Sequence, residues 1–252
     1  MPRAIVREVP DTFVDALTMG GRPVLDVNRA REQHAAYRQM LSEAGYEVTV
    51  VPADENCPDC PFIEDTAVVL DAFAIITRPG AQSRRPETGP VAEALAGLMP
   101  VHHITEPGTM DGGDVMRVGK DVFIGRSART NDAGIAQFAE IASQYGFRVV
   151  AAPVSKVLHL KSAVVPIDDE TLLIASDCTD PATFVGYRLI EKPPAEKDGS
   201  ALRLHDGRVI VTANSPMTIG TLQGAGYEVG WTDTTEFQKA DGGLTCLSLL
   251  FD

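Results

Sequence analysis

Apolar positions recur along the chain with two periods, and the periods follow one another in a repeated order. Residues 4–8 alternate as a strand would. From Asp26 to Gly45, the positions Tyr37, Met40, Leu41 and Ala44 return at helical spacing, with Asp26 or Asn28 as cap and Gly45 as stop. Residues 47–51 read as a strand. Two short apolar runs, 66–70 and 73–77, predict a hairpin, then a helix near 90–98 and a strand over 101–105. The order returns with runs at 115–118 and 122–124, a helix over 131–145 capped by Asn131 and stopped by Gly146, and a strand over 147–154. It returns again with runs at 163–167 and 171–175 and a helix over 180–190. The last repeat has runs at 201–204 and 209–212, a helix over 215–225 and a strand over 227–231. A final strand over 244–251 lacks a partner downstream, and the N-terminal strand is available to it.

This pattern predicts a single α/β domain over residues 1–252, built from five strand–strand–helix–strand (ββαβ) units. Radial repetition of such units predicts a five-bladed α/β propeller around a central active-site cleft, its last unit closed by both chain termini. A doubly wound parallel sheet fits less well, because hairpins are frequent. The third unit is the weakest. Its last strand is expected near 191–196, where Lys192-Pro193-Pro194 is poor strand material.

Composition narrows the partners. Lys and Arg number 22 against 35 Asp and Glu, a formal net charge of −13, which disfavours nucleic acid and anionic membrane surfaces. Hydrophobic residues make up 44%, enough to fill a core. No apolar run approaches the roughly 20 residues that span a bilayer, and the first residues lack a signal-peptide pattern, so a cytoplasmic location is expected. The four cysteines, Cys57, Cys60, Cys178 and Cys246, are then expected reduced. Cys57-Pro-Asp-Cys60 has no second pair to complete a zinc site and reads as structural. His34, His102, His103 and His205 likewise read as structural or surface residues.

Candidate chemistry gathers just before the hairpins. Asp59 and Glu64-Asp65 precede the first, Asp111-Gly-Gly-Asp114 the second and His159-Leu-Lys161 the third. Asp241-Gly-Gly-Leu-Thr-Cys246 precedes the closing strand, while the segment near Asp198-Gly199 shows nothing comparable. Equivalent positions in equivalent units would converge on one cleft. A cysteine supplies a nucleophile, a histidine moves protons near neutral pH, and carboxylates hold a cation such as a planar guanidinium. The segments Arg78-Pro-Gly-Ala-Gln-Ser-Arg84-Arg85 and Ser127-Ala-Arg129-Thr-Asn follow the first and second hairpins at matched places, and one arginine from each would clamp a carboxylate. A ligand with a guanidinium at one end and a carboxylate at the other is an arginine derivative.

These segments resemble the dimethylarginine dimethylaminohydrolase family. The resemblance runs through Val51-Pro-Ala-Asp-Glu-Asn-Cys-Pro-Asp-Cys-Pro-Phe-Ile-Glu-Asp65, Ile76-Thr-Arg-Pro-Gly-Ala-Gln-Ser-Arg-Arg85 and Met110-Asp-Gly-Gly-Asp-Val115. It continues through Ile124-Gly-Arg-Ser-Ala-Arg-Thr-Asn131, Lys156-Val-Leu-His-Leu-Lys-Ser162 and Lys239-Ala-Asp-Gly-Gly-Leu-Thr-Cys246, in order over nearly the whole chain. It implies hydrolysis of asymmetric dimethylarginine or monomethylarginine to citrulline plus dimethylamine or methylamine. It also implies the propeller shared with arginine deiminases and amidinotransferases. Cys246 would attack the guanidinium carbon to give a thiouronium-type adduct, and His159 would protonate the departing amine and then activate water. Asp65 and Asp111 would hold the guanidinium, with Asp111 standing where some members carry Glu. Arg84 and Arg129 would bind the α-carboxylate. Asp59 and the main chain at Leu17 and Ala240 would bind the α-amine, with Phe62 and Glu64 on the substrate side. The segment 17–21 would form a lid. No cofactor or metal is implied, although a thiol beside an imidazole can take up zinc, so inhibitory zinc at Cys246 is expected.

Two rival readings remain. An arginine deiminase of the same fold would act on unmethylated arginine, but those enzymes typically carry His-Leu-Asp where His159-Leu160-Lys161 stands. Another modified arginine is a related substrate. A catalytically silent binding protein is the rival from another class, and the intact Cys246 and His159 oppose it. Monomer and homodimer fit equally.

Overall fold

The computed structural model describes residues 1–21, 23–196 and 200–252, so the segment expected around Asp198-Gly199 lies outside the described residues. In chain order, the regular elements begin with β1 (Arg3–Arg7), α1 (Val27–Glu43) and β2 (Glu47–Val51). Next come β3 (Ala67–Leu70), β4 (Phe73–Ile76), α2 (Thr88–Ala96) and β5 (Val101–His103), then β6 (Val115–Val118), β7 (Asp121–Arg126), α3 (Asp132–Ser143) and β8 (Arg148–Pro153). They continue with α4 (Leu160–Ala163), β9 (Val164–Pro166), β10 (Thr171–Ile174) and β11 (Arg188–Glu191). The last are β12 (Ala201–Arg203), β13 (Val209–Thr212), α5 (Pro216–Gly224), β14 (Val229–Thr232), α6 (Thr235–Lys239) and β15 (Leu249–Phe251).

The strands form five three-stranded sheets, β15-β1-β2, β3-β4-β5, β6-β7-β8, β9-β10-β11 and β12-β13-β14. Each has one antiparallel neighbour and one parallel neighbour of its middle strand. The fold is therefore mixed α/β, and the five-bladed propeller expected from the repeats is corrected. Among the described residues the five sheets share no strand pairing with one another and no closed barrel or propeller is seen. Sequence order dictates the pairing inside four of the units, where the strands are close in the chain, while β1 pairs with β15 from the far end of it. It does not dictate how one unit meets the next.

Two elements also depart from expectation. The helix expected over 180–190 is a single 3-10 turn, Pro181–Phe184, whose start is fixed by Asp180 accepting the Ala182 amide at 3.0 Å. Gly186, at φ +98°, then turns the chain out of helical space. β11 consequently begins at Arg188, ahead of the Lys192-Pro193-Pro194 stretch. The closing strand begins only at Leu249, because Thr245–Leu247 is a 3-10 turn.

Helix α1 is capped by Asp26, which accepts the Arg29 amide at 3.1 Å, and α3 by Asn131, which accepts the Gly134 amide at 2.8 Å. Tyr37 of α1 is fully buried. Its hydroxyl donates to the Leu244 carbonyl at 3.0 Å and shares a hydrogen bond with Ser248 at 2.7 Å. The longest helix thereby holds both ends of the turn that carries Cys246. Among the described residues no helix is long and apolar enough to cross a membrane. Cys57 and Cys60 are free, buried thiols, pushed up to about 12 and about 11 chiefly by burial.

Candidate active site

His159 lies at the entrance to α4 and is buried. Its Nε2 is 3.0 Å from Asp111 Oδ2, and its Nδ1 is 3.8 Å from Asp65 Oδ1. The approach depends on Gly113, since a Cβ there would stand 2.5 Å from His159 Nδ1 and 2.8 Å from Asp65 Oδ1. The Gly113 amide donates to Asp65 Oδ1 at 2.9 Å, and the Gly80 amide to Asp111 Oδ1 at 2.8 Å. Asp114 ties the surroundings together by accepting from the Ser127 and Thr130 hydroxyls and from the Leu160 amide, at 2.6, 2.7 and 2.9 Å. Burial alone would depress the imidazole. The charge of Asp65, then the Asp111 hydrogen bond and the charge of Asp114, outweigh it and lift His159 to about 9. Against burial, the charges of His159 and Arg84 hold Asp65 well below the usual carboxylate range.

Cys246 sits in the 3-10 turn before β15, partly exposed, and its Sγ accepts the Gly243 amide at 3.3 Å. It borders a cavity of about 750 Å³ that His159, Glu64, Lys161, Gly113 and Thr245 also line. Burial, with the charges of Glu64 and Asp65, pushes the thiol far above its usual range. Site and nucleophile candidate thus rest as an imidazolium and a neutral thiol. Glu64 is buried, accepts from Thr245 Oγ1 at 2.9 Å and pairs with Lys161 Nζ at 2.5 Å. Burial raises its carboxyl and Lys161 opposes that rise.

The remaining predicted residues, Leu17, Asp59, Phe62, Asp65, Arg84, Asp111, Arg129 and Ala240, do not line this cavity. Asp65 and Asp111 stand behind the imidazole. Arg84 is buried and turned inward. Its Nη1 is 2.5 Å from Asp65 Oδ2, and its Nε and Nη2 reach Glu87 Oε2 at 3.2 and 2.8 Å. Arg129 is less enclosed, with Nη1 3.5 Å from Asp111 Oδ2 and no hydrogen-bond partner on that nitrogen. Asp59 accepts the Leu17 amide at 3.0 Å, and burial raises its carboxyl against the pull of Arg84. Phe62 packs near Phe13 and Phe237, against the face that Gly242 leaves open. Ala240 ends α6 and is buried. Met19 and Gly20, from the segment expected as a lid, line the cavity, and the Met19 amide donates to Asp241 Oδ2 at 2.5 Å.

Ligand atoms of Asp65, Asp111 and His159 lie within 4.8 Å of one another, as a metal group would. Arg84 and the Gly113 and Gly80 amides already occupy the two carboxylates. Sequence reasoning passed over Glu87, Gly80 and Thr130, and named Asp114 in its motif without giving it a role. The second aspartate of Asp111-Gly-Gly-Asp114 and the glutamate three residues after Arg84 were the available signals.

A family model described as N,N dimethylarginine dimethylhydrolase, eukaryotic, matches residues 22–181. The N(G),N(G)-dimethylarginine dimethylaminohydrolase of Streptomyces coelicolor is 41% identical over 250 residues, covering 98% of this chain and 96% of that protein. The chain belongs to the dimethylarginine dimethylaminohydrolase family. As a member it is a hydrolase of C–N bonds in linear amidines. Two solved dimethylarginine dimethylaminohydrolase structures are similar throughout. A cysteine-to-serine variant from Pseudomonas aeruginosa, complexed with citrulline, superposes with a TM-score of 0.94 at 37% identity, covering 99% of this chain and 98% of that one. A histidine-to-glycine variant, as an adduct with S-methyl-L-thiocitrulline, gives a TM-score of 0.95 at 36% identity over 100% of both chains.

Proposed function

We propose that the protein hydrolyses Nω,Nω-dimethyl-L-arginine and Nω-monomethyl-L-arginine to L-citrulline, releasing dimethylamine or methylamine. One observation carries the reading. In a chain akin to dimethylarginine dimethylaminohydrolases from end to end, Cys246, His159 and Glu64 border a single cavity.

The chemistry follows from the resting charges. A guanidinium entering beside Glu64 brings positive charge to Cys246, which favours loss of the thiol proton to solvent. The thiolate attacks the guanidinium carbon, forming a C–S bond. His159, already protonated, gives its proton to the substituted nitrogen as the C–N bond breaks, leaving a thiouronium adduct on Cys246 and a neutral amine. Neutral His159 then takes a proton from water as the oxygen adds to the same carbon. The C–S bond breaks and citrulline leaves. Asp111 and Asp65 keep the imidazole oriented and charged between these steps. Arg129 meets the α-carboxylate first, because Arg84 is committed to Asp65 and Glu87. Asp59 and the main chain at Leu17 and Ala240 take the α-amine, and Phe62 closes the apolar side.

Incubating the protein separately with dimethylarginine, monomethylarginine and arginine, and measuring citrulline and free amine, tests the assignment. Citrulline with stoichiometric dimethylamine or methylamine is the expected result. Citrulline from arginine alone would overturn it in favour of a deiminase, and none from any substrate would favour a silent protein.

A further inference from the structure

We propose that Lys161 sets the preference of the site for an alkylated over an unsubstituted guanidinium. The inference rests on the function proposed above and concerns Glu64, which borders the cavity and accepts a hydrogen bond from Thr245 in the nucleophile's turn. Of the site carboxylates, Asp65 and Asp111 are occupied behind His159 by Arg84 and by the Gly113 and Gly80 amides. Glu64 borders the cavity, yet both its oxygens are also taken. Lys161 Nζ lies 2.5 Å from Oε1, and Thr245 Oγ1 donates to Oε2 at 2.9 Å.

Lys161 is poorly placed to withdraw. Its side chain is only 16% exposed. Glu64, Lys161 and Thr245 line the main cavity on one side and a second cavity of about 250 Å³ on the other, so the pair forms the partition between them. The walls of the second cavity come largely from β3, β6, β9, β12 and β15, and its apolar side chains there offer the ammonium no other anion.

A guanidinium that binds Glu64 must therefore share it with a fixed cation. An unsubstituted guanidinium brings more N–H groups to this carboxylate than it can accept while Lys161 and Thr245 hold it, and each donor buried without an acceptor costs affinity. A methylated nitrogen brings fewer donors and needs fewer acceptors. Removing the ammonium frees one oxygen of Glu64, which would then reward the N–H groups that methylation removes.

The test compares kcat/KM for dimethylarginine and for arginine, read as citrulline, in the wild type, Lys161→Met and Lys161→Arg, with thermal unfolding as the folding control. The methylated-to-unmethylated ratio should fall by about tenfold or more in Lys161→Met, the scale of one mismatched buried hydrogen bond. Lys161→Arg keeps the charge and should keep the preference. If the methionine variant does not fold, Lys161→Leu is also neutral and carries no donor, and is read the same way. An equal loss on both substrates, as a merely structural role would give, overturns the inference and leaves the proposed function standing. A wild type that makes citrulline from neither substrate refutes that function and this inference together.

Discussion

At the residue scale, His159 decides the pH behaviour. Its folded pKa of about 9 lies above the unfolded value of about 6.5, because Asp65, Asp111 and Asp114 surround it. A raised cationic group adds stability that is complete below the unfolded pKa and is lost as pH rises through the folded one. The protein should therefore lose unfolding free energy between about pH 6.5 and 9. In Asp111→Asn that loss should be smaller, as denaturant midpoints measured across the range will show. The same group must be protonated to release the amine. The alkaline limb of kcat/KM is expected near pH 9, and it should move to lower pH in Asp111→Asn. Gly113 gives a sharper steric test. An added methyl would press on both the imidazole and Asp65, so Gly113→Ala should lower kcat on the order of a hundredfold, measured by citrulline formation, while the circular dichroism spectrum is kept.

Much of this residue layer was legible in the sequence, for a physical reason. Cys246, His159, Glu64 and the paired Asp-Gly-Gly segments stand at chain-local positions, where a turn must present a side chain or admit a neighbour. Arg84 shows the limit of such reading. Its loop suggested a free cation, whereas Glu87, three residues on, and Asp65, from a different segment, draw it inward. Only a long-range contact reveals the second of these.

At the element scale, local signals served where they were strong. Asp26 and Asn131 are caps of α1 and α3, and both are legible because an N-cap needs only its own next turn. The expected helix over 180–190 failed because Pro181 and Gly186 bracket too few residues for more than one 3-10 turn. The apolar run 244–251 concealed another turn, since Tyr37 rather than a neighbouring strand satisfies the Leu244 carbonyl. That bond has a measurable role. Tyr37→Phe leaves the carbonyl without this partner and should lower stability by roughly 1–2 kcal/mol in chemical denaturation. Activity should drop as well, because the freed turn carries Cys246.

At the scale of the whole molecule, the five-fold repetition was visible in the order of elements, but the closed propeller inferred from it is not what the five sheets form. Apart from β1 and β15, hairpins and crossover strands pair within a unit over short chain separations, so their order is written locally. How one three-stranded sheet meets the next depends on side-chain packing between distant segments, such as Phe13, Phe62, Phe237 and Leu244 in one core cluster. The negative net charge of −13 belongs to this scale too, since it favours a cationic ligand and repels polyanions.

The central claim is that one sulfur atom carries the reaction. Rapid quenching during turnover of dimethylarginine, followed by peptide mass spectrometry, tests it most directly. The account predicts a covalent amidine adduct on the peptide bearing Cys246, and neither adduct nor citrulline from Cys246→Ser. Citrulline formed by Cys246→Ser at the wild-type rate would contradict it.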